Sequence, residues 1–189
     1  GYNLDMLVDD AKERGAVNLA RLLAGSEGTL AIVTEATVSL EPIPPKTAVV
    51  MLTYDGVVSA MRDVAPILEH DPAAVEVMDD VLLDMARDTP EFADLVATLP
   101  EGTAATLLVE FYADTPDAGR RKVQDLLADR LPDAAAAASA EGRTATDAPI
   151  HAVDALEAYD DDRQARFWKM RKAGLPILLS NTGDDKHWP

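Results

Sequence analysis

Three prolines fall within four positions of the segment Glu41-Pro42-Ile43-Pro44-Pro45-Lys46. Each fixes its own φ and lacks an N–H, so neither a helix nor a central strand can run through them. The segment is a stiff, extended connector. It divides the chain into residues 1–45 and 46–189, and the two parts carry different hydrophobic patterns.

Before the connector, Leu4, Leu7, Val8 and Ala11, then Val17, Ala20 and Leu23, recur at helical spacing with a break at Gly15. The spacing predicts helix, turn, helix. Residues 25 to 36 follow as GSEGTLAIVTEA, a glycine-bearing turn that leads into β-branched runs. Thr29–Thr34 and Ala36–Leu40 are expected as strands.

Beyond the connector the first part reads as strand, helix, strand, helix: TAVVMLTY at Thr47–Tyr54, an amphipathic helix at Val57–Leu68 bent near its end by Pro66, Ala74–Met78, and Val81–Arg87. AATLLVEFY at 104–112 is a strong strand. Thr115 caps a helix with Pro116 at its first position, running to Leu131. A fourth, edge-like strand is expected in the alanine tract Ala134–Ala140, between Pro132 and Gly142. A last helix is expected from about Asp154 to Ser180, with Trp168, Arg171 and Leu175 on one face. The order strand, helix, strand, strand, helix, strand predicts an α+β fold, a ferredoxin-like antiparallel sheet with helices on one face.

Composition limits the function. The chain has 189 residues, 48% of them hydrophobic, enough for a real core. It has no cysteine, which excludes disulfides, thiolate metal sites and a cysteine nucleophile within these residues. The formal net charge of −17 argues against nucleic acid and anionic membrane surfaces as partners. No apolar run reaches the roughly 18 residues of a membrane span and no basic leader opens the chain, so a cytoplasmic location is expected. Aspartate outnumbers glutamate and lysine is scarce, a pattern expected of a halophilic surface, where salt screens self-repulsion. The abrupt ends, Gly1-Tyr2-Asn3-Leu4 and Lys186-His187-Trp188-Pro189, are those expected of a fragment of a longer polypeptide.

The turn at 25–28 has two readings. Glycine and serine before a strand make an ordinary turn. They also let a backbone approach a ligand closely and expose successive N–H groups to anionic oxygens. The residues match neither a G-x-G-x-x-G nor a Walker loop.

The longer segment GSEGTLAIVTEATVSLEPIP resembles the GSEGTLG-I-(I/V)-TEA motif near the end of the FAD-binding domain of the vanillyl-alcohol-oxidase-like FAD-linked oxidases. These include glycolate oxidase, D-lactate dehydrogenase and D-2-hydroxyglutarate dehydrogenase. Gly1-Tyr2-Asn3-Leu4 is similar to the family's GY-(D/N)-L box. The resemblance implies FAD as cofactor, contacted by Gly25, Ser26, Glu27, Gly28, Thr29, Leu30, Ala31, Ile32 and Val33. Ala31 departs from the family's glycine and adds a methyl group there. The resemblance also implies that residues 1–45 end a PCMH-type FAD-binding domain, and that 46–189 form an incomplete cap domain of the FAD-linked oxidase C-terminal type.

Arg166-Phe167-Trp168-Lys169-Met170-Arg171 looks like the family's W-x-x-R helix, whose arginine binds the substrate carboxylate. Arg171 takes that place, and the planar fork of a guanidinium suits a carboxylate. Lys186 falls where related 2-hydroxyacid dehydrogenases carry a second cation. Each also has a plainer reading: Arg171 as a surface ion pair, Trp168 as core, and Asp160, Asp161 and Asp162 as solvated acids. The activity implied is oxidation of a small 2-hydroxy acid by an FAD-dependent oxidoreductase. No residue is assigned as catalytic base, and no metal site is expected. An iron–sulfur electron-acceptor domain or subunit stays open as a partner. Two other functions stay open beside it: a non-catalytic ferredoxin-like module for ligand binding or subunit contact, and an oxidase of uncharged aryl alcohols or amines.

Overall fold

The structure, a computed structural model, describes residues 2–131 and 152–180. The chain divides into two compact units, Gly1–Pro42 and Ile43–Pro189.

In the first unit, α1 (Leu4–Arg14) ends at Gly15, whose φ of 64° turns the chain out of the helix. A second helix, α2 (Leu19–Ala24), starts at Asn18, whose side chain accepts the N–H of Ala20. Asp10 of α1 is buried and lies 3.2 Å from Arg21 Nε of α2. Asn3 Nδ2 donates to the carbonyl of Arg21 at 3.0 Å, so polar contacts join the two helices. The strands expected at Thr29–Thr34 and Ala36–Leu40 do not form. β-branched residues favour a strand only where a neighbour takes its ladder hydrogen bonds, and among the described residues none does. Ile32 is accordingly 92% exposed and Leu40 87%.

The second unit runs β1 (Lys46–Tyr54), α3 (Val57–Leu68), β2 (Ala74–Asp79), α4 (Asp80–Arg87), α5 (Ala93–Val96), β3 (Ala105–Ala113), α6 (Pro116–Arg130), β4 (Asp154–Ala158) and α7 (Asp161–Ser180). The sheet order is β2-β3-β1-β4, and every pairing is antiparallel. This is the ferredoxin-like α+β arrangement. Thr115 Oγ1 accepts the N–H of Ala118, so α6 begins at the cap and proline that the sequence marks.

Both faces of the sheet are covered, where helices on one face were expected. Ala48, Val50, Leu52 and Tyr54 of β1 pack with Leu107, Val109 and Phe111 of β3 against Ala60 and Ile67 of α3 and Val123 and Leu126 of α6. On the opposite face Val49, Met51, Met78 and Leu108 pack against Leu82 and Ala86 of α4, Leu95 and Val96 of α5, and Phe167 and Met170 of α7. The cause is legible in β1, which is apolar almost without interruption rather than alternating, as a strand buried on both sides must be.

The last helix also starts later than expected. Ala134–Ala140 lies outside the described residues, and the strand observed is β4 at Asp154–Ala158, within the stretch expected to be helix. Ala155, Leu156, Glu157 and Ala158 are good helix formers. Pairing from Val49↔Ala158 to Thr53↔Asp154 satisfies the free edge of β1 and overrides that preference. The helix starts after Asp160, whose Oδ1 accepts the N–H of Arg163 at 2.8 Å. Among the described residues no helix is long and apolar enough to cross a membrane.

Candidate functional site

Ser26, Glu27, Gly28 and Thr29 form a tight turn. The N–H of Thr29 donates to the carbonyl of Ser26 at 2.9 Å, and Glu27 and Gly28 both have positive φ, 48° and 77°. Two left-handed residues in succession define a type I′ turn, which favours glycine at its second central position. Side chains fasten it: Ser26 Oγ donates to the carbonyl of Leu23 at 2.9 Å, Thr29 Oγ1 donates to the carbonyl of Ser26 at 2.6 Å, and the Tyr2 hydroxyl lies 2.7 Å from Thr29 Oγ1.

The turn has donors and room for a ligand. Among the described residues no acceptor takes the N–H of Glu27 or Gly28, and a Cβ built on Gly28 would meet no atom within 4 Å. Glu27 is exposed, as are Leu30, Ala31, Ile32 and Val33 downstream. Ser26 is buried and spends its hydroxyl on the turn. The donor set fits the polar oxygens of a flavin cofactor.

In the second unit α7 brings a polar row onto the sheet. Trp168 Nε1 donates to Glu110 Oε1 of β3 at 3.1 Å. One turn further on, Arg171 meets Glu76 of β2: Nε donates to Oε2 at 3.1 Å, and Nη2 lies 2.9 Å from the same oxygen. Glu76 and Glu110 share a sheet face, because Ala74 pairs with Glu110 and Glu76 with Leu108. Residues three apart on the helix thus meet two acids that are diagonal neighbours on adjacent strands.

The second acid is electrostatically loaded. Partial burial raises the Glu110 carboxyl above its ordinary range, against the opposing pull of the Trp168 N–H and the charge of Lys172. Trp168 itself is partly buried and packs against the core beside Phe167 and Met170. Leu175 is 46% exposed and adds nothing to the row. Lys186 lies outside the described residues. Asp160 caps α7, and Asp161 and Asp162 are exposed.

Sequence reasoning missed Glu76 and Glu110. The available signal was an acid flanked on both sides by apolar residues inside a strand, Val75-Glu76-Val77 in AVEVMD and Val109-Glu110-Phe111 in ATLLVEFYA. A separate pocket lined by Tyr54, Asp55, Glu101, Gly102, Thr103 and Val153 carries two acids and no cation, which suits it poorly to an anionic ligand.

Comparison with known proteins places this chain. It is 34% identical over 134 residues to the D-2-hydroxyglutarate dehydrogenase of Pantoea ananatis (strain AJ13355), covering 68% of this chain and 13% of that protein. It is 30% identical over 176 residues to the glycolate oxidase subunit GlcD of Escherichia coli (strain K12), covering 91% of this chain and 30% of that subunit. It is 29% identical over 106 residues to a probable mitochondrial D-lactate dehydrogenase of Danio rerio, covering 55% of this chain and 20% of that protein. The chain therefore spans less than a third of the length of each of these relatives. Residues 43–189 match the family described as FAD linked oxidases, C-terminal domain, and the chain belongs to that family.

Proposed function

We propose that this chain is part of an FAD-dependent oxidoreductase that oxidises a small 2-hydroxy acid of the D-lactate, glycolate or D-2-hydroxyglutarate class. Three relatives named for such acids support the class. The observation that carries the reading is Arg171. Its guanidinium lies on α7 with over a third of the side chain in water, and among the described residues it meets only Glu76, through its Nε/Nη2 edge. The remaining N–H groups can take a carboxylate in the paired geometry that fixes a small acid. Lys186 serves as a second cation in this reading.

Bound FAD would accept a hydride equivalent from the α-carbon of the acid. The chain's own residues orient the acid and compensate its carboxylate charge. The turn at Gly25–Val33 lines the cofactor, with the N–H groups of Glu27 and Gly28, which meet no acceptor among the described residues, as donors. The formal charge of −17 supports a halophilic surface, and the absence of a membrane-spanning helix among the described residues is consistent with a cytoplasmic enzyme.

The test is Arg171→Ala in the FAD-loaded protein. Loss of charged hydrogen bonds should raise the dissociation constant of the acid by about tenfold or more and leave FAD content unchanged. Unchanged acid binding would sink the assignment. A second reading, a non-catalytic ferredoxin-like module for subunit contact, draws on one observation: Arg171 already has a carboxylate partner in Glu76. A holoprotein that purifies without flavin would favour it.

A further inference from the structure

We propose that Glu76 is a positioning residue: it fixes the guanidinium of Arg171 edge-on and so selects which N–H groups meet the substrate carboxylate. This rests on the reading of Arg171 given above. A guanidinium carries five N–H donors in one plane. Glu76 Oε2 takes the edge made by Nε and Nη2, at 3.1 and 2.9 Å. Nη1 and the outer N–H of Nη2 are left, with no acceptor among the described residues. They form the end of the fork, which accepts a carboxylate through two parallel hydrogen bonds.

Stability does not account for the pair. Arg171 and Glu76 keep 36% and 38% of their side chains exposed, and pairs so exposed contribute about 0–1 kcal/mol. The hold on α7 comes instead from Phe167 and Met170, which are buried. Orientation does account for it. Arginine has long, freely rotating bonds, whereas Glu76 stands on a strand paired along its whole length with β3. One turn before Arg171, the Trp168–Glu110 hydrogen bond fixes the same helix face to the same sheet face. The rotation of α7 and the plane of the guanidinium are therefore both set from the sheet.

A misplaced carboxylate misplaces the α-carbon, which penalises turnover more than binding. The experiment is a double-mutant cycle in the FAD-loaded enzyme with Glu76→Ala and Arg171→Ala. It reads kcat per bound flavin on D-2-hydroxyglutarate, D-lactate and glycolate. Calorimetry gives the dissociation constants of the product acids 2-oxoglutarate, pyruvate and glyoxylate. Glu76→Ala should lower kcat by about tenfold or more, hold the product dissociation constant within about threefold, and cause no further fall once Arg171 is alanine.

Glu76→Gln keeps a neutral acceptor, so it should recover part of kcat; it also serves as the probe if the alanine variant does not fold. Unchanged kcat in both Glu76 variants, an equal fall in both Arg171 backgrounds, or a loss of product affinity as large as that of Arg171→Ala overturns the proposal. If Arg171→Ala itself leaves product affinity unchanged, the reading of Arg171 fails, and this proposal fails with it.

Discussion

Asp63 is fully buried on α3, and its carboxylate has two partners. The Tyr54 hydroxyl donates to Oδ2 at 2.7 Å, and Arg130 Nη1 donates to Oδ1 at 3.1 Å from the end of α6. The Arg130 side chain is only 13% exposed. Replacing Asp63 by alanine leaves a buried tyrosine hydroxyl without an acceptor, a cost of about 1–3 kcal/mol. It also leaves a largely buried guanidinium with Asp129 as its remaining acid, and breaking a buried ion pair costs about 3–5 kcal/mol in all. Domains of this size have only about 5–15 kcal/mol to lose. Urea denaturation followed by circular dichroism should therefore show a much lower midpoint with an unchanged slope. Asp63→Asn should fall between, since the amide still accepts from Tyr54 but turns an N–H₂ toward Arg130 if it does so. A loss below about 1 kcal/mol for Asp63→Ala would refute the claim that this pair ties α3 to α6.

Three further outcomes follow from the packing of this unit. A Cβ at Gly119 of α6 would lie 3.0 Å from Ala48 Cβ on β1, in the centre of the sheet, where neither atom can rotate away; Gly119→Ala should destabilise by about 1–2 kcal/mol despite its better helix propensity, read by thermal melting. Glu110 has its carboxyl raised mainly by partial burial, so its ionisation opposes folding; stability from the protonated form is present below its unfolded value of about 4.3 and lost as pH rises through the folded value. Glu110→Gln, which keeps an acceptor for Trp168, should match or exceed the parent in stability at neutral pH and lose that advantage in acid, by denaturation at both pH values. Tyr54 is pushed up by burial and then by its hydrogen bond to Asp63, so the folded protein holds its proton after the unfolded chain has released it. Stability should fall as pH rises above about 10, by up to about 1.4 kcal/mol per pH unit from this group, and the fall should be shallower in Tyr54→Phe.

The parts of the fold legible in the sequence are those where local preference and tertiary demand agree. TAVVMLTY and ATLLVEFY are rich in β-branched and aromatic residues and occupy the two central strands, while Thr115-Pro116 starts α6 in a form any helix would use. Where the two conflict, the reading fails. Asp154–Ala158 has helix-forming residues but lies against an open sheet edge, and the edge decides. Thr29–Leu40 has strand-forming residues without a partner among the described residues, and stays irregular. Arg171 stood out through the resemblance of its segment to a family W-x-x-R helix, but its geometry depends on an acid 95 positions earlier. Spacing along one segment cannot supply that information, because the β2–β3 register creates the match between Glu76, Glu110 and α7.

An acid that approaches this chain meets a formal net charge of −17. Long-range attraction therefore cannot gather the proposed substrate, and at low salt the field opposes it. The field and the contact respond to salt differently. At 1 M salt the screening length is about 3 Å, so repulsion from distant aspartates fades, while charge-assisted hydrogen bonds shorter than that length are weakened far less. Recognition of a carboxylate by such a chain must then depend on direction more than on net charge. An arginine that shares its charge with Glu76 attracts less at a distance but keeps a fixed set of N–H vectors at contact. The ion pair that weakens Arg171 as an electrostatic lure is thus what suits it to select a carboxylate by geometry.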